Sequence, residues 1–298
     1  MNRNIKKAAL FIGLTFSFSW LMAALFFAFG GQFYTPAGLV MALIYMFIPM
    51  VIAIVVQKFI YRERLKQPLG ISFKLNRWFI VAWLLPPIIA FAAIGVSLVF
   101  PGVQFSPEPE TSRIFEHFSS ILPAQRLEEF QSQAASLPFH PFWFGLLLGL
   151  IAGVTINAVA GFGEELGWRG LLQREFRFMG FWKSSAIIGV IWGIWHAPII
   201  LLWGHNYPEH PVAGIFMMTI LTVLLAPIFS YVRLKAKSVI AAAILHGSLN
   251  ATAALPMVVI KGGNDLTVGV AGLAGFIVLT IINIAIFIYD RNLAKVPL

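Results

Sequence analysis

The sequence of 298 residues contains no cysteine. A chain without cysteine has no disulfide bonds, no zinc–thiolate site and no thiol nucleophile. Charged side chains are also scarce, because Asp, Glu, Lys and Arg make up 11% of the chain, compared with roughly 25% in typical soluble domains. None of the four occurs between residues 8 and 57. A soluble protein could not keep so long an apolar stretch in water, so the composition indicates a protein that spans a membrane several times.

Eight apolar segments are predicted to cross the membrane, because each approaches the roughly 20 residues that a spanning helix needs. Backbone groups in lipid must form hydrogen bonds within the protein, and these runs are continuous and not alternating, so we predict helices and no β-barrel. The predicted fold class is all-α: a polytopic membrane protein with about eight transmembrane helices in one bundle. The segments are residues 8–30, 38–57, 78–100, 141–163, 184–203, 212–232, 239–258 and 269–289.

The chain is predicted to form one integral membrane unit in two parts. Residues 1–140 would contain the N-terminal transmembrane helices and an outer amphipathic loop, and residues 141–290 a helical core with the polar motifs. Within the loop, apolar side chains recur at helical spacing on either side of Pro123, which predicts two short helices at the membrane interface. These side chains are Ile114, Phe118, Ile121 and Leu122 before the proline, and Leu127, Phe130 and Ala134 after it.

Basic residues are distributed unevenly between the two faces that eight spans create. If successive connections between spans lie on alternate faces of the membrane, 18 of the 21 Lys and Arg residues are on the same face as the termini. Only Arg113, Arg126 and Lys261 are on the other face. The positive-inside rule therefore predicts that both termini are cytoplasmic, and we expect location in the plasma membrane. The net charge of +9 is then a topology signal and a contact for anionic membrane lipid, so no nucleic-acid partner is expected.

The stretch GFGEELGWRG, residues 161–170, carries two adjacent glutamates directly after an apolar segment. If the helix continues, Glu165 and Arg169 share one face and form an i, i+4 ion pair. Glu164 is rotated by about 100° on such a helix, so it stays available as a general base. The alternative is that these three residues only solvate the cytoplasmic end of a helix. Small residues at every fourth position before them predict close packing in the bundle. They are Gly145, Gly149, Gly153, Asn157 and Gly161.

Two further segments hold polar residues inside apolar runs. In IWGIWHAPI, His196 lies near the middle of a predicted span, one turn after Trp192. In ILHGSLN, His246 and Asn250 share one helix face and can donate two hydrogen bonds to one developing oxyanion. Each set also has an ordinary explanation, as a satisfied core histidine or a link between helices. Because the three segments lie at a similar depth, we predict that they converge in one pocket open to the cytoplasm. The histidines in outer connections are assigned no role: His117, His140, His205 and His210.

The segments EELGWR (164–169), WGIWH (192–196) and HGSLN (246–250) together resemble the three motifs of the CPBP family. This membrane family includes type II CAAX prenyl endopeptidases and bacteriocin-processing or immunity proteins of the Abi type. Order and spacing match across roughly residues 140–290, whereas the first hundred residues carry no motif. One departure is Trp192, where the family often has Phe.

The resemblance implies an intramembrane endopeptidase that hydrolyses peptide bonds of membrane-associated peptides or precursors, as in CAAX-type or leader-peptide processing. It implies catalytic roles for Glu164, His196, His246 and Asn250, with Glu165, Arg169 and Trp192 in support. Glu164 and His196 would activate a water, while His246 and Asn250 would stabilise the oxyanion. The expected partners are membrane lipid and a peptide or lipid-modified peptide substrate.

This set of residues leaves open whether the site binds a metal ion, because two histidines, a glutamate and a water can bind zinc or another divalent cation. The ligands would be Glu164, His196 and His246. The sequence has no H-E-x-x-H motif and Asn is a poor zinc ligand, so a metal-free mechanism is favoured and no cofactor is certain.

Two other functions fit the same residues. A non-catalytic immunity or regulatory protein of the same fold would use the motif residues only to shape a binding pocket. A proton-coupled transporter would use the buried Glu and His side chains as a relay. The transporter hypothesis predicts internal symmetry between the halves of the chain, which the sequence does not show.

Overall fold

The structure, a computed structural model, describes residues 3–33, 35–108, 112–116, 124–136 and 139–292. Its helices are α1 (Arg3–Ala28), α2 (Pro36–Ile54), α3 (Arg77–Ser97), α4 (Ala124–Ala135), α5 (Pro141–Val154), α6 (Ile156–Glu165), α7 (Phe181–Trp195), α8 (Ala197–Trp203), α9 (Pro211–Ala236), α10 (Val239–Thr252), α11 (Leu255–Val259) and α12 (Leu273–Asn292). Turns of π-helix extend α2 through Val55–Ile60 and α6 through Leu166–Leu172, and the helical turn Gln173–Glu175 follows the latter. Two short strands, β1 (Gln104–Phe105) and β2 (Ile260–Lys261), pair antiparallel.

Seven helical segments in the described part of the chain are long and apolar enough to cross a membrane. In this count α7 and α8 form one segment, and α10 and α11 form another. Helices α5 and α6, with an angle of 51° between them, form an eighth if they are one bent span. These spans confirm the predicted all-α polytopic fold, and the chain is an integral membrane protein. Large apolar side chains such as Phe18, Leu39 and Ile281 are exposed on the outside of the bundle, as a lipid-facing surface requires.

The fourth span ends later than the sequence predicts. Its predicted end is at residue 163, but α6 continues through Glu165 into π-helical turns and on to Glu175. The bend lies earlier, at Thr155, whose φ of −116° and ψ of −104° are not helical. The continuation puts Glu164 about 16 Å from the end of this helical segment. The glutamates therefore lie inside the bundle and not at a helix end on its surface.

Helices α5 and α6 pack closely against α10 because small residues lie between them. A Cβ atom at Gly161 would be 2.9 Å from the carbonyl oxygen of Ala243. On the opposing helix, a Cβ atom at Gly247 would be 2.4 Å from the backbone nitrogen of Ala158. Any side chain at these positions would push the helices apart, so the close packing predicted from the small residues is confirmed.

A buried polar cluster fills the bundle on the face where the termini lie. Lys7 of α1, whose side chain is 2% exposed, donates to Gln57 Oε1 at 2.5 Å and to Glu63 Oε2 at 2.9 Å. Its Nζ atom also lies 3.4 Å from Glu175 Oε1. The cluster joins α1, the end of α2 and the turn after α6, so it fixes the far end of the helix that carries the glutamates.

The structure describes only part of the outer connection between α3 and α5, for which the sequence predicts two short helices. Helix α4 confirms the second of the two short helices predicted there, while its position at a membrane interface stays a prediction. Several residues behind the prediction lie outside the described residues or have side chains that do: Phe118, Ile121, Leu122, Pro123, Phe130 and Ala134.

Candidate active site

Glu165, Arg169 and His246 form a buried polar group where α6 meets α10. Glu165 Oε1 accepts hydrogen bonds from Arg169 Nη1 at 3.2 Å and from His246 Nδ1 at 2.8 Å. The Arg169 guanidinium lies over the rings of Trp192 and Phe229, 4.6 and 4.7 Å from their centroids. The predicted i, i+4 ion pair is therefore present. The alternative, solvation of a helix end, is wrong because these side chains are buried.

The carboxylate of Glu164 is held by two indole rings. Its Oε2 atom accepts hydrogen bonds from Trp192 Nε1 at 2.8 Å and from Trp168 Nε1 at 3.3 Å. Its Oε1 atom lies 3.7 Å from His246 Nε2. Trp168 follows Glu164 by one helical turn, a spacing visible in the sequence, but the sequence analysis overlooked it. Two neutral donors thus orient this carboxylate and leave its second oxygen directed at His246.

His246 lies between the two glutamates, and its hydrogen bonds determine which nitrogen carries a proton. Glu165 Oε1 accepts from Arg169 Nη1 in an ion pair, so His246 Nδ1 is the donor in its own hydrogen bond to this oxygen. A neutral His246 therefore has an unprotonated Nε2. Nε2 can donate to an oxyanion only when the ring carries both protons, and Glu164 and Glu165 are placed to balance that positive charge.

His196 lies at the junction of α7 and α8, and its own helix orients it. Its Nδ1 atom donates to the carbonyl oxygen of Trp192 at 2.8 Å, so Nε2 of the neutral ring is free to accept a proton or a hydrogen bond. Trp192 thus contacts both His196, through its backbone, and Glu164, through its indole.

His205, in the loop after α8, lies beside His196 and was missed by sequence reasoning. The two rings are parallel, with 3° between their planes and 6.2 Å between their centroids. Burial lowers the pKa of His205 to about 4, so it is neutral at pH 7. The sequence assigns it no role because nothing in the pattern indicates that an outer loop folds back over this span.

The predicted residues meet at one cavity of about 820 Å³. Glu164, His196, His246 and Asn250 all line it, and Asn250 is exposed. Asn250 follows His246 by one turn of α10, as the sequence predicts. Most of the remaining wall is apolar and comes from α2, α7, α8 and α9: Tyr45, Trp195, Ile199, Met218, Leu221 and Leu225.

The sequence predicts that the pocket opens on the same face as the termini. In the structure it opens on the opposite face. Its lining continues to Glu116, Pro208 and Glu209 in the outer connections, and these side chains are exposed or partly exposed. On the other face, Trp168 and Leu172 of the extended α6 segment are fully buried. The prediction is wrong because the helix continues past Glu165 and its added turns fill the expected opening.

A shared metal ion does not fit the predicted ligand set as it is arranged. Within the described residues, Glu164, His196 and His246 do not bring one ligand atom each to within 4.8 Å of one another. Zinc needs such atoms at about 2.0–2.2 Å from the ion, which brings them closer together than this.

Glu209, His210 and Asp265, at the cavity mouth, do place ligand atoms within 4.8 Å of one another. Asp265 accepts hydrogen bonds from the backbone nitrogens of Glu209 at 2.7 Å and His210 at 3.2 Å. His210 Nδ1 lies 2.7 Å from Asp265 Oδ1, and Glu209 pairs with Arg113. These contacts indicate that the cluster links two loops.

Part of the chain matches a known family. Residues 138–252 match the family model described as type II CAAX prenyl endopeptidase Rce1-like. The matched segment includes helices α5 to α10 and, within them, Glu164, His196, His246 and Asn250. No curated protein was found to match the chain. Residues 138–252 therefore resemble the Rce1-like type II CAAX prenyl endopeptidases, in agreement with the resemblance of the three motifs to the CPBP family.

Proposed function

We propose that the protein is an intramembrane endopeptidase in which Glu164, together with His196, activates a water molecule. The observation that carries the proposal is the arrangement of Glu164 in the cavity wall, with Oε2 held by two indole donors and Oε1 directed at His246. A carboxylate buried among membrane helices is costly, and such groups usually have a function. The family match supports peptide hydrolysis as the reaction class.

The proposed reaction uses four side chains in two pairs. Glu164 Oε1 takes a proton from a water that also donates a hydrogen bond to His196 Nε2, and the water oxygen bonds to the substrate carbonyl carbon. His246 with both ring protons and the amide of Asn250 donate to the oxyanion that results. Glu164 returns the proton to the leaving nitrogen as the C–N bond breaks, so the carboxylate is regenerated.

The proposed mechanism is metal-free, and the separation of the Glu164, His196 and His246 ligand atoms supports it. Elemental analysis of the purified, active protein checks this point. We expect no divalent metal at one equivalent per chain and full activity after dialysis against a chelator. A stoichiometric metal whose removal abolishes activity would overturn the metal-free mechanism.

The proposed substrates are membrane-associated peptides or precursors, with or without an attached lipid as in CAAX processing. A cavity of about 820 Å³ with mainly apolar walls suits an extended apolar peptide, because binding pockets are usually apolar with few polar groups. We also propose location in the plasma membrane with both termini cytoplasmic, which the uneven distribution of Lys and Arg supports. The cavity would then open on the outer side, and substrates would enter from there.

The test compares Glu164→Gln with Glu128→Gln, the same substitution on the exposed surface of α4, outside the cavity lining. Gln keeps the size of Glu164 but cannot take a proton, so we expect peptide cleavage to fall at least about 100-fold. Glu128→Gln should keep wild-type activity. Membrane peptides from cells with each variant are compared by mass spectrometry, and thermal melting of the purified variants checks folding.

The outcome also separates the peptidase from the non-catalytic alternative. A folded Glu164→Gln variant that still produces every wild-type fragment would end the proposed mechanism. If no fragment depends on Glu164 but cells need the protein and tolerate Glu164→Gln, the immunity or regulatory function replaces it.

A further inference from the structure

A second cavity, of about 490 Å³, lies on the face of the termini, away from the candidate active site. Three arginines line it: Arg174 and Arg177 from the turns after α6, and Arg233 from the last turn of α9. Gln67, Gln173 and part of the apolar wall complete the lining. Three guanidinium groups around one cavity make a strongly positive site, whose charges need partners.

Arg233 is the one of the three that is both unpaired and partly shielded from water. It is only partly exposed, and within the described residues its side chain has no hydrogen bond or ion pair; its Nε atom is buried without a partner. The C-terminal end of α9 balances some of its charge, but no acceptor contacts Nε. A guanidinium in this state is unfavourable unless an anion binds it.

Arg174 is partly compensated and Arg177 is not. Arg174 Nη2 donates to Glu63 Oε2 at 3.0 Å, but its Nη1 atom is buried without a hydrogen-bond partner. Glu63 is shared with Arg3 and Lys7, and Glu175, 3.9 Å from Arg174 Nε, is shared with Lys7, so two carboxylates face three cations before Arg177 and Arg233 are counted. Arg177 is exposed and has no ion pair among the described residues. The cavity therefore has more positive charge than the neighbouring carboxylates supply.

Gly70 lies beside Arg233 and makes room for its guanidinium. Its φ of +71° belongs to the left-handed region that favours glycine, and a Cβ atom there would lie 2.7 Å from Arg233 Nη2. The loop of residues 61–76 thus accommodates the guanidinium without pairing it.

We propose that this cavity binds a phosphate group, and that the group belongs to the headgroup of an anionic phospholipid or to a free phosphate. Guanidinium groups match phosphate oxygens in geometry and charge, and several of them around one cavity are typical of phosphate binding. The cavity lies at the ends of α6 and α9, where lipid headgroups meet a membrane protein. The basic excess on this face fits the leaflet surface that carries anionic lipid.

The experiment measures lipid and phosphate binding to the purified full-length protein in neutral detergent. Native mass spectrometry and thermal melting are recorded with phosphatidylglycerol, with phosphatidylcholine, and with inorganic phosphate against chloride at equal ionic strength. The test variant is Arg177→Gln with Arg233→Gln. The control variant is Arg64→Gln with Lys66→Gln, which removes two exposed charges from the same face outside the cavity.

We expect the wild type and the control variant to bind phosphatidylglycerol at least about tenfold more tightly than phosphatidylcholine, and the test variant to lose this preference. Stabilisation by inorganic phosphate alone, lost in the test variant only, would support the same site with a soluble ligand. Equal losses in both variants, or no anion binding by the wild type, would overturn the proposal.

A second measurement does not depend on the double variant folding. Arg233→Leu removes the uncompensated guanidinium, so in detergent without phosphate or anionic lipid we expect it to melt at a higher temperature than the wild type. A lower melting temperature under these conditions would show that Arg233 is compensated within the fold and would contradict the proposal. The exposed single variant Arg177→Gln, whose fold should be intact, must also bind phosphatidylglycerol more weakly.

Discussion

At the scale of single residues, Glu164 and Glu165 differ through their partners and not through their own chemistry. Glu165 pairs with Arg169 and with His246 Nδ1, whereas Glu164 accepts from neutral indoles. Glu164 also lines the cavity and Glu165 does not, so only Glu164 can reach a water there. The arrangement therefore favours Glu164 as the base and Glu165 as the residue that orients His246.

Trp192 is predicted to position Glu164. Trp192→Phe keeps the ring but loses the hydrogen bond to Glu164 Oε2, and a bond to a charged group contributes about 1.5–3 kcal/mol. We expect kcat to fall about 10-fold or more with KM changed less than about twofold. The control is Trp182→Phe in the same helix; Trp182 is 38% exposed, and its ring packs against Phe287. A raised KM with unchanged kcat would instead place Trp192 in substrate binding.

His205 is predicted to make the stability of the protein depend on pH. Its folded pKa is about 4, compared with its ordinary value of 6.5, so between these values the unfolded chain binds a proton that the folded chain does not. The free energy of unfolding should therefore decrease as the pH falls from 6.5 to 4. Thermal melting at pH 7 and pH 4.5 checks this: the decrease should be smaller in His205→Gln than in the wild type. Equal decreases would show that His205 is not the group responsible.

At the scale of elements, the packing of α6 on α10 brings the first and third motifs together. Gly161 lies beside His246, since a Cβ atom there would be 2.9 Å from the Cβ of His246. The spacing of small residues predicts this contact, because it defines a helix face that a neighbour can approach. It does not identify the neighbour, and α10 is known as the partner only from the structure.

Gly247→Ala is predicted to destabilise the bundle. The added methyl group would lie 2.4 Å from the backbone nitrogen of Ala158, and such overpacking typically costs about 1–3 kcal/mol. Gly95→Ala, in the last turn of α3, is the control because nothing lies within 4 Å of its Cβ position and alanine favours a helix. Thermal melting in detergent should show a decrease for Gly247→Ala only, and equal melting temperatures would argue against tight contact at Gly247.

At the scale of the whole molecule, the orientation in the membrane determines which side the cavity faces. The start of α1, the end of α12 and the buried Lys7 cluster lie on one face, and the cavity mouth lies on the other. If the termini are cytoplasmic, as the positive-inside count predicts, the opening is on the outer side.

Cysteine labelling tests this orientation, because the chain has no cysteine of its own. In intact cells, a membrane-impermeant maleimide should label Glu209→Cys at the cavity mouth. It should label Lys74→Cys, which is exposed on the opposite face, only after permeabilisation. The reverse pattern would put the termini outside and the cavity opening in the cytoplasm.

Much of this structure could be predicted from the sequence alone, from its long apolar segments and from the spacing of the three motifs. The seven spans, or eight with the bent pair α5 and α6, follow from run length, since lipid forces each run into a helix. The ion pair of Glu165 with Arg169 follows from helical periodicity. The grouping of Glu164, His196, His246 and Asn250 around one cavity also agrees with the motifs. The division of the chain at residue 140 stays a prediction.

Only the tertiary structure decided where the cavity opens and what surrounds Glu164. The sequence does not indicate where α6 ends, because the turns after Glu165 resemble a polar loop. Contacts with α1 and α2 hold these turns in the bundle. The approach of His205 to His196 and of Trp192 to Glu164 depends on how loops and helices fold back over one another. Contacts of this kind join residues far apart in the chain, and local periodicity contains no information about them.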